Sequence, residues 1–159
     1  MRNGILTVIV WLATTTILPA QSGPVQTSEI GQRARGASKI VVATVVDVTG
    51  RFGTNAHGDQ LIYSDVVLEV SETLKGAAAQ SVTMTIEGGE VGELKLEVSH
   101  MPTVRPGDRG LYFLGRLPRG EWVPYGGERG VLKILSADRL QNTALTLPQA
   151  RALVRDALK

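Results

Sequence analysis

The sequence predicts a mainly β fold, an antiparallel barrel, closed or partly open, with a short N-terminal helix and a C-terminal helix. Three observations carry this expectation. Lys39–Thr49 (KIVVATVVDVT) is dense in β-branched residues, and further segments of alternating apolar and polar character follow it. Breaks rich in Gly and Pro recur between those segments. The chain then ends on a stretch with a capping pattern and an apolar stripe at helical period. Short strands joined by tight turns, without crossover helices, favour antiparallel closure.

Taken in order, Ser28 opens a brief helix through Ala37 that Gly31 and Gly36 weaken. The Lys39–Thr49 strand is apolar on both faces, so it is expected to be central. Arg51–Gln60 is a polar loop. The second strand, Leu61–Leu74, sets Ile62, Val66, Leu68 and Val70 against Tyr63, Asp65, Glu69 and Ser71. Its Val66-Val67 doublet predicts a slip in the alternation, as at a bulge. Ser81–Glu87 points Val82, Met84 and Ile86 inward. Gly88, Gly89 and Gly92 then permit a reversal, after which Leu94, Leu96 and Val98 are expected to re-enter the core.

A Pro-Gly-Asp turn precedes an apolar strand over Leu111–Leu117. Trp122–Tyr125 and Val131–Leu135 are expected to form a final pair of strands. Thr146 and Gln149 have capping-box spacing ahead of a helix over 147–158, with Pro148 in its first turn. Leu147, Ala150, Leu153, Val154, Ala157 and Leu158 form its apolar stripe, with Arg151, Arg155 and Lys159 outward.

The N-terminus predicts export. Arg2, the uncharged apolar run Ile5–Ala13 and the closing Pro19-Ala20 form a signal-peptide pattern with cleavage after Ala20. That run is shorter than the roughly 20 apolar residues a bilayer crossing needs. The expected organisation is therefore a signal peptide over 1–20, a linker over 21–27, and one barrel domain over 28–159. Removing 1–20 takes Arg2 and no acid, so 17 basic residues become 16 against 15 acidic ones, a net charge of +1. The absence of cysteine excludes thiol nucleophiles, thiolate metal sites and a lipid-modified Cys, and it favours a bacterial protein over a disulfide-stapled one.

Known chemistry finds little purchase. His57 and His100 stand in no metal-ligand spacing, so no metal is expected. His57, in a polar loop beside Asp59, reads as a hydrogen-bonded surface histidine, and His100 as the end of a strand. No Gly-x-Ser-x-Gly and no phosphate-loop pattern occurs, so no catalytic residue and no cofactor is assigned. Glu87 and Glu90 are acids beside a turn. Trp122 and Tyr125, followed by Arg129, read either as core and mouth of the barrel or as an exposed aromatic and arginine patch for a protein or glycan. Single-stranded nucleic acid would require several stacking aromatics and a basic groove, which the sequence lacks.

The runs KIVVATVVDV, IYSDVVLEVSETLKG, SVTMTIEGG and VRPGDRGLYFLGRL together resemble the netrin-like module shared with tissue inhibitors of metalloproteinases. The signature Val70-Ser71-Glu72-Thr73-Leu74-Lys75-Gly76 closes the long strand, and Gly107-Asp108 precedes Leu111-Tyr112-Phe113-Leu114. The resemblance spans Lys39 to Leu135 and is to the cysteine-free bacterial secreted relatives. It implies an OB-like, five-stranded barrel flanked by helices. The animal inhibitors act through an N-terminal cysteine that this chain lacks, so their chemistry does not carry over.

These readings converge on an exported, non-catalytic binding or interaction module, periplasmic or extracellular. It is taken as a monomer without a stable membrane anchor. Trp122, Tyr125, Arg129 and the loop-tip Glu90 are the candidate contacts for a protein or glycan. Two alternatives stand beside it: a protease-inhibitor-like protein working through a loop edge, and a hydrolase assembled from scattered acids and His100.

Overall fold

The computed structural model describes residues 27–159. The expected signal peptide and the linker up to residue 26 lie outside the described residues. The chain runs α1 (Thr27–Gly36), β1 (Lys39–Thr54), β2 (Gln60–Lys75), β3 (Ser81–Glu87), β4 (Gly89–Val91), β5 (Leu94–Leu96), β6 (Arg109–Arg116), β7 (Trp122–Pro124), β8 (Val131–Lys133) and α2 (Leu147–Ala157). The protein is thus mainly β, with one helix at each end of the described chain.

β1, β2, β3, β7 and β6 pair in that order, and β6 pairs back onto β1, so the strands form a ring. All contacts in it are antiparallel except β3 against β7, a parallel pairing at Met84 and Trp122. Two apolar clusters explain the ring. Val41, Val45, Leu68, Met84, Tyr112 and Leu114 fill its interior. Ile40, Val42, Leu111 and Phe113 face the other way, under Ile30 and Ala34 of α1 and Leu147, Ala150 and Val154 of α2. β1 and β6 are therefore buried on both faces, which is why neither alternates in sequence.

The helices are fastened by more than apolar contact. Lys75 Nζ donates to the carbonyls of Ala34 (2.8 Å) and Arg35 (2.9 Å), meeting α1 at its negative end. The Thr146 N–H donates to Gln149 Oε1 at 2.9 Å, the capping box its spacing predicts. Arg151, expected to point outward, pairs with Glu72 of β2 at 2.5 Å, so it ties α2 to the sheet. Leu158 lies beyond the last turn of α2 and is exposed, so the apolar stripe ends at Ala157.

Three sequence expectations are corrected. β2 keeps its alternation, with Ile62, Ser64, Val66 and Leu68 all buried. The bulge lies across from it on β1, where Val45 opposes Leu68, Asp47 opposes Val67, and Val46 is the extra, exposed residue. β5 does not return to the core: it pairs only with β4 in a separate two-stranded sheet, and Leu94 is 59% exposed. β7 and β8 do not pair with each other. They lie end to end along one edge of β6, β7 on Leu114–Arg116 and β8 on Gly110–Tyr112, with the turn Gly127–Gly130 between them.

Among the described residues, the ring interior holds a buried polar atom without a partner. The Tyr112 side chain is fully buried, and its hydroxyl has no hydrogen-bond partner among the described residues. Burial, with Asp108 nearby, raises its pKa far above the ordinary tyrosine value. Removing an unpaired buried hydroxyl relieves a desolvation penalty of about 1–3 kcal/mol. Tyr112→Phe is therefore expected to raise the denaturation midpoint by the equivalent of about 1 kcal/mol, and a fall would show that the hydroxyl is bonded after all.

Candidate functional site

Past Thr44, β1 leaves β6, and past Met84, β3 leaves β7. The three strands β1, β2 and β3 then continue together as an extension of the ring. The chain from Gly88 to Pro106 folds back beneath this extension and leaves a groove of about 770 Å³. Val48, Ile86, Met101 and Val104 form its apolar floor, continuous with the ring interior. Glu90, Lys95 and Glu97 stand exposed on its rim, joined by Arg105.

Local sequence explains the fold-back. The Gly88 N–H donates to the Ile62 carbonyl (2.8 Å), and the buried Ser64 hydroxyl donates to the Gly88 carbonyl (2.8 Å). Gly89 then takes φ 132°, open to glycine and strained for any L side chain. β4 comes down on β1 at Gly50, where the Glu90 carbonyl approaches so closely that a Cβ would lie 1.8 Å from it. On the rim, Lys95 Nζ lies 2.7 Å from Glu97 and 3.7 Å from Glu90. The hydrogen bond to Glu97 holds the lysine above its usual pKa and the Glu97 carboxyl below its own.

The four residues singled out from sequence fall in three places. Glu90 lies on the rim of the large groove. Trp122 is half-buried and closes another part of the ring interior, with Arg116 Cζ 5.0 Å and Lys39 Nζ 5.7 Å from its ring centroid. Tyr125 and Arg129 share a smaller groove of about 230 Å³ with Glu29, Gln32 and Arg33. Trp122 and Tyr125 stand three residues apart along an extended segment, and an odd separation puts them on opposite faces. The Arg33 guanidinium donates to Glu29 (2.8 Å) and to the Arg129 carbonyl (2.9 Å), and burial lowers its pKa.

His100 is not at a strand end. It is an exposed residue at φ 64° whose ring lies 3.9 Å from Glu128 Oε1. The His57 backbone N–H donates to Asn55 Oδ1 in the β1–β2 turn. Among the described residues no group of three or more His, Asp or Glu could hold a metal ion. None of the described helices is long and apolar enough to cross a membrane.

The floor residues Met101 and Val104 and the rim residues Lys95 and Arg105 escaped sequence reasoning. The one signal for them was the long run from Gly88 to Asp108 that holds four glycines, two prolines and only short apolar alternation. Neither a family model nor a curated protein matches this chain.

Proposed function

We propose that this protein is an exported, non-catalytic binding module built on an OB-type barrel of the netrin-like kind. The observation that carries the binding role is the groove under the β1–β2–β3 extension. Its volume falls within the ~300–1,000 Å³ typical of ligand sites, and it combines an apolar floor with a few charged groups of both signs. That lining suits a peptide segment or a glycan better than a polyanion. Support for the barrel type comes from the five-membered ring with a long, bulged first strand shared between β2 and β6. Support for export comes from the Arg2 and Ile5–Ala20 pattern and the lack of cysteine.

A second reading, a protease-inhibitor-like protein, has one observation in its favour. The β4–β5 hairpin ends beside the groove and holds Leu94 out in solvent, as a loop presented to an enzyme cleft would.

Site-specific photo-crosslinking on the exported protein tests the binding role. A crosslinking side chain at Lys95, on the groove rim, is expected to trap a discrete envelope or extracellular partner. The same group at Lys159, just beyond α2, is expected to trap none. Equal or absent crosslinking from the two positions would sink the groove as a binding site. Purified inhibitor-sensitive proteases, inhibited by wild type and not by Leu94→Asp, would favour the second reading. N-terminal sequencing of the same preparation is expected to begin at Gln21, and recovery of Met1 or Arg2 would sink the export claim.

A further inference from the structure

We propose that two copies of this chain pair through the free edge of β1, antiparallel about Thr49, joining their sheet extensions into one six-stranded sheet. The sequence reading takes the chain as a monomer, and the state of this edge is the reason to expect a pair. β6 covers β1 only over Lys39–Thr44, and the loop backbone at Gly107 and Asp108 reaches no further than Val45. From Asp47 to Thr54, among the described residues, β1 has β2 as its one strand partner. An edge of this kind is a template for another strand unless Pro, charged side chains, a bulge or a covering element blunts it; here the bulge at Val46 ends before Asp47, and the charges on the edge are the opposite pair Asp47 and Arg51. Asp47–Thr54 (DVTGRFGT) contains neither Pro nor Lys.

The hydrogen-bond alternation shows which residues face outward. The Gly88 N–H bonds the Ile62 carbonyl and the Val70 N–H bonds the Gln80 carbonyl, so the even-numbered residues of β2 turn their backbone toward β3. Their partners on β1, Phe52, Gly50 and Val48, therefore turn theirs to the free edge. A two-fold axis at Thr49 sets Val48 opposite Gly50 of the partner subunit, and the two exchange backbone hydrogen bonds on each side of the axis.

Charge selects that register. Centred on Thr49, Asp47 of each copy meets Arg51 of the partner subunit, beside the Arg51–Asp65 ion pair already present at 2.6 Å. Centred one residue later, Asp47 would meet Gly53 and both charges would lose their match. The Thr49 register also brings the bulged Val46, 48% exposed, to the same end of the seam as the partner's Phe52, 49% exposed. Both are large apolar residues left in solvent by the single chain. The two grooves then lie on one continuous sheet, so a repeating ligand would be held at two points.

The chain has no cysteine, so Thr49→Cys introduces a lone thiol at the axis. Directly opposed residues without mutual hydrogen bonds have Cα atoms about 4.5 Å apart, within disulfide reach. Wild-type protein is expected to sediment as a dimer. Mild oxidation is expected to lock Thr49→Cys into a covalent dimer while Thr54→Cys, also exposed on the same edge, stays largely monomeric. Asp47→Lys, an exposed change that sets like charges face to face, is expected to weaken the dimer at least about tenfold. Monomeric wild type, equal crosslinking at 49 and 54, or a dimer indifferent to Asp47→Lys would each overturn the proposal.

Discussion

Gly89→Ala is expected to destabilise the protein by about 3 kcal/mol or more, read as a fall in the urea midpoint at unchanged slope. Two effects combine. Gly89 sits at φ 132°, where an L side chain is strained by about 1–3 kcal/mol. An alanine Cβ would also lie 2.0 Å from Ser64 Oγ, far inside contact distance. Ser64 cannot yield freely, because its buried hydroxyl satisfies the Gly88 carbonyl at 2.8 Å. Turning it away leaves that carbonyl unpaired, a further ~1–3 kcal/mol. A double-mutant cycle separates the two. Ser64→Ala removes the clash, so Gly89→Ala should be less damaging in that background by about 1 kcal/mol or more. A loss under about 0.5 kcal/mol from Gly89→Ala in wild type would remove the backbone account of this turn. The groove should respond as well, since Gly89 sets the direction in which Glu90 and β4 approach Gly50.

The stretch Thr85–His100 shows how much of the fold was legible. Its glycines read correctly as backbone geometry, because Gly88, Gly89 and Gly92 all take positive φ. Its alternation misled. Leu94, Leu96 and Val98 have a strand's period, but period two says only that a segment has two faces. It does not say that either face meets the core, and here the ladder is three residues long and pairs with β4 alone. The bulge shows a different limit. Val45-Val46 and Val66-Val67 are similar doublets on neighbouring strands, close to the same point of the ladder, where Val45 opposes Leu68 and Asp47 opposes Val67, and the extra residue could sit on either strand of the pair. Register decides, and register follows from the whole ladder.

The candidate site was less legible than the fold. Glu90 was found through its turn, but the Val48, Ile86, Met101 and Val104 floor draws on β1, β3 and a loop up to 56 positions apart, which no local pattern reports. Trp122 and Tyr125 looked like one patch because they are near in sequence. Their odd spacing sets them on opposite faces, which fits the other reading, with Trp122 toward the ring interior and Tyr125 outside it.

Gly130→Ala is the second large effect expected, about 3 kcal/mol, although its φ is ordinary. The obstacle is space between backbones. An added Cβ would lie 2.7 Å from Tyr125 N, 2.9 Å from Tyr125 O and 3.0 Å from Phe113 O. Those atoms are themselves bonded, the Tyr125 N–H donating to the Phe113 carbonyl at 2.8 Å. Phe113 is fully buried under the helices and pairs with Ile40, so β6 cannot retreat without opening the helix-side cluster. Overpacking a rigid site costs about 1–3 kcal/mol, and breaking the buried hydrogen bond adds to it. Gly36→Ala is the matched control, since its Cβ would meet the same tyrosine but at the hydroxyl end of the side chain, 2.0 Å away. That ring is partly exposed and can swing aside, and Gly36, the last residue of α1, takes no positive φ that alanine would strain. Gly36→Ala should therefore lie within about 1 kcal/mol of wild type while Gly130→Ala unfolds much earlier. If the two variants denature together, the end-to-end seating of β7 and β8 on β6 does not depend on the bare backbone at Gly130.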